Sequence, residues 1–283
     1  MSADAGTNLP SVPPGGSPGV MDAVRMGWRL LAQDFWQLWL AALVVVGILG
    51  GIEVAPCISC LAPVAGVFLW PAMMAGLFLV VRDRADGAAV RFNRLFTAFQ
   101  RCYWPAVVAG LPVTLTGLVV GILSFAVRFA LGMAVGMWGG MSGRFSGPAH
   151  FNEQMAALYA ADGAAVVAQK AVEGIVGLFF MFAMLAIWEH PGEGWQAARR
   201  SLGLVTGHFG AALGFGLVFA GLWLAATVAG VLACCVGRFF TMSVFQAWHA
   251  GATLYLYRSW TGQALVQPPA AEVAAGGTVE PQP

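Results

Sequence analysis

The sequence predicts an all-α fold: a polytopic transmembrane helical bundle of about six spans, with amphipathic interfacial helices between them. Three observations carry this. Hydrophobic residues make up 59% of the 283-residue chain and charged residues only 10%, with a mean hydropathy of +0.76. Soluble domains carry about 25% charge, so lipid has to solvate much of this surface. Uncharged runs recur, the clearest being the 28 residues Val54–Val81, and about 20 apolar residues suffice to cross a bilayer. Arginines then gather behind alternate runs, as Arg82, Arg84, Arg91, Arg94 and Arg101 do behind Val81. Such clusters mark the side that stays in the cytoplasm.

Taken in order, residues 1–20 are mostly Ser, Gly, Pro and Ala with one Asp, and read as a disordered tail. No basic stretch precedes an apolar core there, so they are not read as a signal peptide. Asp22–Gln37 reads as an amphipathic helix, with Val24, Trp28, Leu31 and Phe35 on one face and Arg25, Arg29 and Gln33 on the other. It either lies in the interface or forms the first turns of the next helix. Phe35–Ile52 is uncharged and just long enough to span, and Glu53 and Pro56 make a turn without Lys or Arg. Val54–Val81 returns, with Pro63 and Pro71 as kink sites. Val90–Arg101 reads as a second amphipathic helix, with Phe92, Leu95, Phe96 and Phe99 on one face and Arg94 and Arg101 opposite.

Cys102–Val127 crosses outward and meets Arg128, whose long side chain can reach the far interface. Residues 129–173 are the least legible, with Gly132, Gly136 and Gly140 at a four-residue spacing that suits close helix packing. Gly174–Trp188 forms a short fourth span, and Gly194–Gly207 a third amphipathic helix with Arg199 and Arg200. Phe209–Val236 and Phe239–Tyr257 complete the bundle. Residues 21–262 thus form one transmembrane domain, and 263–283 a second disordered tail.

All basic residues except Lys170 are Arg. The segments assigned inside hold Arg25, Arg29, Arg82, Arg84, Arg91, Arg94, Arg101, Arg199, Arg200 and Arg258; those assigned outside hold Arg128, Arg144, Lys170 and Arg238. Ten against four puts both termini in the cytoplasm. The expected location is a cell membrane, the bacterial inner membrane.

The first and last hairpins are alike, which suggests a parallel repeat of 22–87 and 196–262 flanking a central pair of spans. Trp28, Leu31 and Phe35 match Leu202, Val205 and Phe209 at an offset of 174; Ala72, Ala75, Gly76, Leu79 and Gly87 match Ala247, Ala250, Gly251, Leu254 and Gly262 at 175.

A family pattern also lies on these segments. It comprises the Gly76 region with Arg82 and Arg84 behind it, Asn93-Arg94-Leu95-Phe96-Thr97-Ala98-Phe99, Arg200-Ser201-Leu202, and Gly237 through Gly262. Over about residues 20–110 and 195–265, the chain resembles a poorly characterised family of bacterial multi-pass proteins. That family is similar to the membrane domain attached to some glycerophosphodiester phosphodiesterases. A Pro often follows Gly237 by several residues in the pattern, and Ser243 stands near that place here. The resemblance implies an all-α membrane bundle and no activity, because no phosphodiesterase domain accompanies it.

Two constellations are candidate sites. Cys57 and Cys60 lie at the outer turn of the first hairpin and Cys234 and Cys235 at that of the last. Outside the cytoplasm they could oxidise, or they could simply fill apolar gaps. The last span carries Arg238, Gln246, His249, Thr253 and Tyr257 within an arc of about 100°. That polar stripe either lines a path or holds helices together by hydrogen bonds.

Gly140-Met141-Ser142-Gly143 has the form of the serine motif of rhomboid intramembrane proteases. Arg144 and Pro148 follow it, so it cannot continue as the buried helix such a serine needs. The sequence has no Walker motif, HExxH or intramembrane carboxylate pair. A net charge of +1 recruits no nucleic acid. No cofactor and no metal site are implied. The reading is a non-enzymatic multi-pass protein that packs with membrane lipids and other membrane proteins; the rival is a transporter that uses the stripe.

Overall fold

The computed structural model of the chain describes residues 19–54, 62–141, 168–169, 171–233 and 236–263. All regular secondary structure among them is helical: α1 (Val20–Gln33), α2 (Phe35–Val54), α3 (Ala62–Ala85), a 3₁₀ turn (Phe92–Phe96), α4 (Thr97–Arg101), α5 (Tyr103–Met141), α6 (Ala171–Ala186), α7 (Gly194–Gly207), α8 (Phe209–Leu232) and α9 (Val236–Trp260). Three helices are long and apolar enough to cross a bilayer: α3 over Gly66–Ala85, α5 over Tyr103–Val127, and α8. A fourth is added if α1 and α2 count as one broken span.

The break between α1 and α2 falls at Asp34, where the chain turns by 102°. This separates α1 from the helix that follows. Its buried residues are Ala23, Val24, Gly27 and Leu31. They face α9 instead of lipid. Ala252 N lies 2.6 Å from where a Cβ on Gly27 would stand, and the Trp248 indole N–H donates to the Val24 carbonyl at 2.8 Å. Glycine is required because the two backbones nearly touch. Trp28, expected on the same face as Val24 and Leu31, is 45% exposed and meets Trp248 edge-on.

α3 and α9 are the central elements. α3 packs against α2, α5, α6, α9 and the 3₁₀ turn, and α9 against α1, α2, α3 and α8. Both are continuously buried in their C-terminal halves, Pro71–Val81 in α3 and Ala250–Arg258 in α9. α5 and α8 instead leave large apolar side chains exposed, including Ile122, Leu123, Phe125, Leu217, Leu224 and Leu232. A helix apolar all round with one face uncovered fits lipid as its solvent.

Element boundaries recur along the chain. α1 and α7 both have 14 residues. Each is followed by a one-residue break, Asp34 and then His208, and the next helix begins at Phe35 and then Phe209. α3 and α9 end alike. Gly87 and Gly262 have φ of 77° and 69°, the left-handed cap that glycine adopts without strain. Around them Gly87 N–H donates to Arg84 O and Ala88 N–H to Asp83 O, while Gly262 N–H donates to Ser259 O and Gln263 N–H to Arg258 O. These are the 174 and 175 offsets of the sequence likeness.

Three expectations need correction in detail. Val90–Arg101 is not one amphipathic α-helix. It begins as a 3₁₀ turn, whose three-residue period aligns Leu95 with Ala98 and buries both, leaving Phe92 and Phe96 exposed. α5 does not stop at Val127 but runs to Met141, 39 residues in all. Pro112 inside it does not end it. Finally, α6 is interrupted by a turn at Met181 and Phe182 and is a short apolar helix. Ser201 of α7 fills that interruption, accepting from Phe182 N–H at 3.1 Å and donating to Phe179 O at 2.9 Å.

Candidate functional site

The predicted stripe on α9 divides into three parts. At the N-terminal end, Arg238 is exposed and its backbone closes on α8 at Gly230, where a Cβ would lie 2.6 Å from Arg238 Cα. Nearby Thr241 donates to the Ala226 carbonyl across the α8–α9 pair at 2.9 Å. Gln246 is half-buried.

In the middle, His249 is walled by phenyl rings. Phe219 lies edge-on at 4.8 Å between centroids, Phe245 is parallel at 5.9 Å, and Phe215 is at 5.8 Å. Thr253 is fully buried, and its hydroxyl has no hydrogen-bond partner among the described residues. At the C-terminal end, the Tyr257 hydroxyl donates to Glu189 Oε2 at 2.6 Å, and its ring lies 5.7 Å from that of Phe182. The stripe residues therefore share α9 but not one environment: an exposed surface for Arg238, rings for His249, a carboxylate for Tyr257. Cys57, Cys60, Cys234 and Cys235 lie outside the described residues, so the disulfide reading is neither supported nor opposed.

No known family, curated protein or solved structure matches the chain. The site must be read from its own chemistry.

The richest polar grouping lies at the Arg-rich ends of the helices. Arg258 reaches Asp86 at 2.5 Å, and Arg82 approaches the same carboxylate at 3.8 Å. Arg94 of the 3₁₀ turn pairs with Asp83 at 3.2 Å, and Arg84 pairs with Asp34 at the α1–α2 break. Glu189 accepts from Tyr257 and from the Gln263 side chain. Four arginines thus ties five segments: the α1–α2 break, α3, the loop after it, the 3₁₀ turn and the end of α9. Arg258 is only 6% exposed, so its pair with Asp86 is the one of these least screened by water.

Two indoles add long-range ties. Trp188, after α6, donates to Ala75 O of α3 at 2.9 Å, as Trp248 does to Val24 O. Buried Trp commonly finds such a partner for its N–H.

Sequence reasoning missed Asp34, Asp86, Glu189 and Trp188. Arg82, Arg84, Arg94 and Arg258 read as orientation markers, and the acids beside them were given no partners. A signal existed in part: Asp83 and Asp86 stand among the arginines, and Asp34 is the one charge between two apolar stretches. Partners such as Arg258 and Asp86 are 172 residues apart, and no spacing rule links them.

Proposed function

We propose that the chain is a six-pass integral membrane protein, with both termini on the Arg-rich cytoplasmic side, that works without catalysis by packing with lipids and partner proteins. The observation that carries this reading is the wall of Phe215, Phe219 and Phe245 around His249. A conducting stripe needs consecutive polar groups facing water; the central ionisable group of this one faces rings. The carboxylates at the Arg-rich end are likewise engaged with Arg and Tyr. The six spans are α2, α3, α5, α6, α8 and α9, with α1, the 3₁₀–α4 segment and α7 at the cytoplasmic interface.

Two measurements test it. Reporter fusions at residues 88 and 262 should read cytoplasmic, and at 55 and 148 extracytoplasmic; an extracytoplasmic signal at 88 overturns the topology. His249→Leu should leave the cellular phenotype intact. Loss of function in a folded His249→Leu protein, with thiol labelling of a Cys placed at 249, would establish the transporter reading instead.

A further inference from the structure

The arginines at the cytoplasmic end fall into a paired set and an exposed set, and the exposed set also holds Arg91, Arg101 and Arg200. Arg82, Arg84, Arg94 and Arg258 pair with Asp side chains. Arg25 and Arg29 on α1 and Arg199 on α7 are exposed and form no salt bridge with another described residue. Both helices bury their small and apolar face against the bundle: Ala23, Val24, Gly27 and Leu31 in α1, and Gly194, Ala197, Ala198, Ser201 and Val205 in α7. What each presents outward is guanidinium beside indole. Trp28 is 45% exposed between Arg25 and Arg29, and Trp195 is 52% exposed under Arg199, whose Cζ sits 5.5 Å from the ring centroid. Arg25 and Arg199 stand 174 residues apart, at the same step of two 14-residue helices.

We infer that the outward faces of α1 and α7 form a paired docking surface for anionic phospholipid headgroups. Three points favour lipid. A guanidinium binds a phosphate oxygen pair in its fork geometry, and an arginine without an internal carboxylate is free to do so. Exposed Trp beside Arg is the composition of headgroup depth, with an apolar body and a polar edge. Moreover, each helix is joined to a membrane helix by a single residue, Asp34 or His208, which holds the face at the bilayer boundary. Acidic groups nearby do not neutralise the faces: Asp22 caps the α1 backbone at Gly19 N–H, and Glu193 precedes α7. An acidic protein segment would need the guanidinia but not the indoles.

This inference rests on the membrane reading above. Its test does not depend on the orientation, so the two can fail separately. The full chain is purified into nanodiscs of phosphatidylcholine alone or with added phosphatidylglycerol, and retained lipid and thermal midpoint are measured. Phosphatidylglycerol should be retained selectively and raise the midpoint, and the effect should shrink as salt rises through the screening range. Arg25→Gln, Arg29→Gln and Arg199→Gln should each weaken retention about five-fold, while Arg238→Gln at the opposite end leaves it unchanged. Inorganic phosphate should not substitute. Equal stabilisation by the two lipids in the wild-type protein overturns the inference, and so does unchanged retention in all three of the Arg25, Arg29 and Arg199 variants. So does tighter binding of a soluble polyglutamate peptide than of phosphatidylglycerol, which would make the partner an acidic protein.

Discussion

The imidazole of His208 lies flat on the indole of Trp260, with centroids 4.5 Å apart and planes 7° apart. In the first hairpin the corresponding contact is Asp34 with Arg84. Both contacts tie a one-residue helix break to the end of the last helix of the same hairpin, by a stack in one case and an ion pair in the other. A stacked pair of this kind contributes about 0.5–1.5 kcal/mol beyond its buried area. His208→Ala and Trp260→Ala should each lower stability, and the double variant should cost less than the sum by about 1 kcal/mol. Full additivity in a double-mutant cycle would show that the two rings are not coupled.

Removing Asp86 should cost more than removing Arg82. Asp86→Ala leaves Arg258, 6% exposed, without that carboxylate, and the expected loss is about 2–3 kcal/mol. Arg82 is 37% exposed and 3.8 Å from Asp86, so Arg82→Ala should cost less than about 1 kcal/mol. Thermal midpoints of the two variants in the same detergent give the order.

Glycine substitutions should divide sharply. A Cβ on Gly76 would overlap the Leu95 carbonyl, a backbone atom that cannot swing aside. Gly76→Ala should therefore displace the 3₁₀ turn and destabilise by about 3 kcal/mol. Gly203 on α7 is exposed with nothing within 4 Å, and Gly203→Ala should stabilise by about 0.5–1 kcal/mol through helix propensity. Limited proteolysis between residues 87 and 102 reads the first effect directly.

Cys102, between α4 and α5, is buried, and burial pushes its thiol up to about 11 from an ordinary 9.0. The raised value means that the fold favours the neutral thiol. The associated stability is complete below about pH 9 and is lost as pH rises towards 11. In a variant that keeps only this cysteine, maleimide labelling at pH 8 should be slow in the folded protein and fast after denaturation. Rapid labelling of the folded protein would place Cys102 at the surface.

The helices themselves were legible in the sequence because their cause is local. Apolar runs set α2, α3, α5 and α8, and Gly194–Gly207, read as an amphipathic segment carrying Arg199 and Arg200, has the bounds of α7. The lengths were less legible: Arg128 looked like a stop, yet an α-helix satisfies its own backbone and so continues to Met141. The 3₁₀ start at Phe92 was hidden for a similar reason, since Phe92, Leu95, Phe96 and Phe99 suit an α-helical face equally well.

What the sequence determined by itself was solvent and secondary structure: too little charge for water, enough uncharged length for helices, and small residues wherever two backbones would meet. What only the tertiary structure decided was partnership. Gly27 and Gly251 could have faced lipid, and α1 could have buried its apolar side in the bilayer; instead they close on each other, with Gly27 Cα 3.2 Å from where a Cβ on Gly251 would stand. The four paired arginines could all have pointed to water, yet Asp34, Asp83 and Asp86 take them. The physical reason is that hydropathy and periodicity act over a few residues along the chain, whereas backbone contact and ion pairing act over a few ångströms of space. Only folding brings residues 172 positions apart to 2.5 Å.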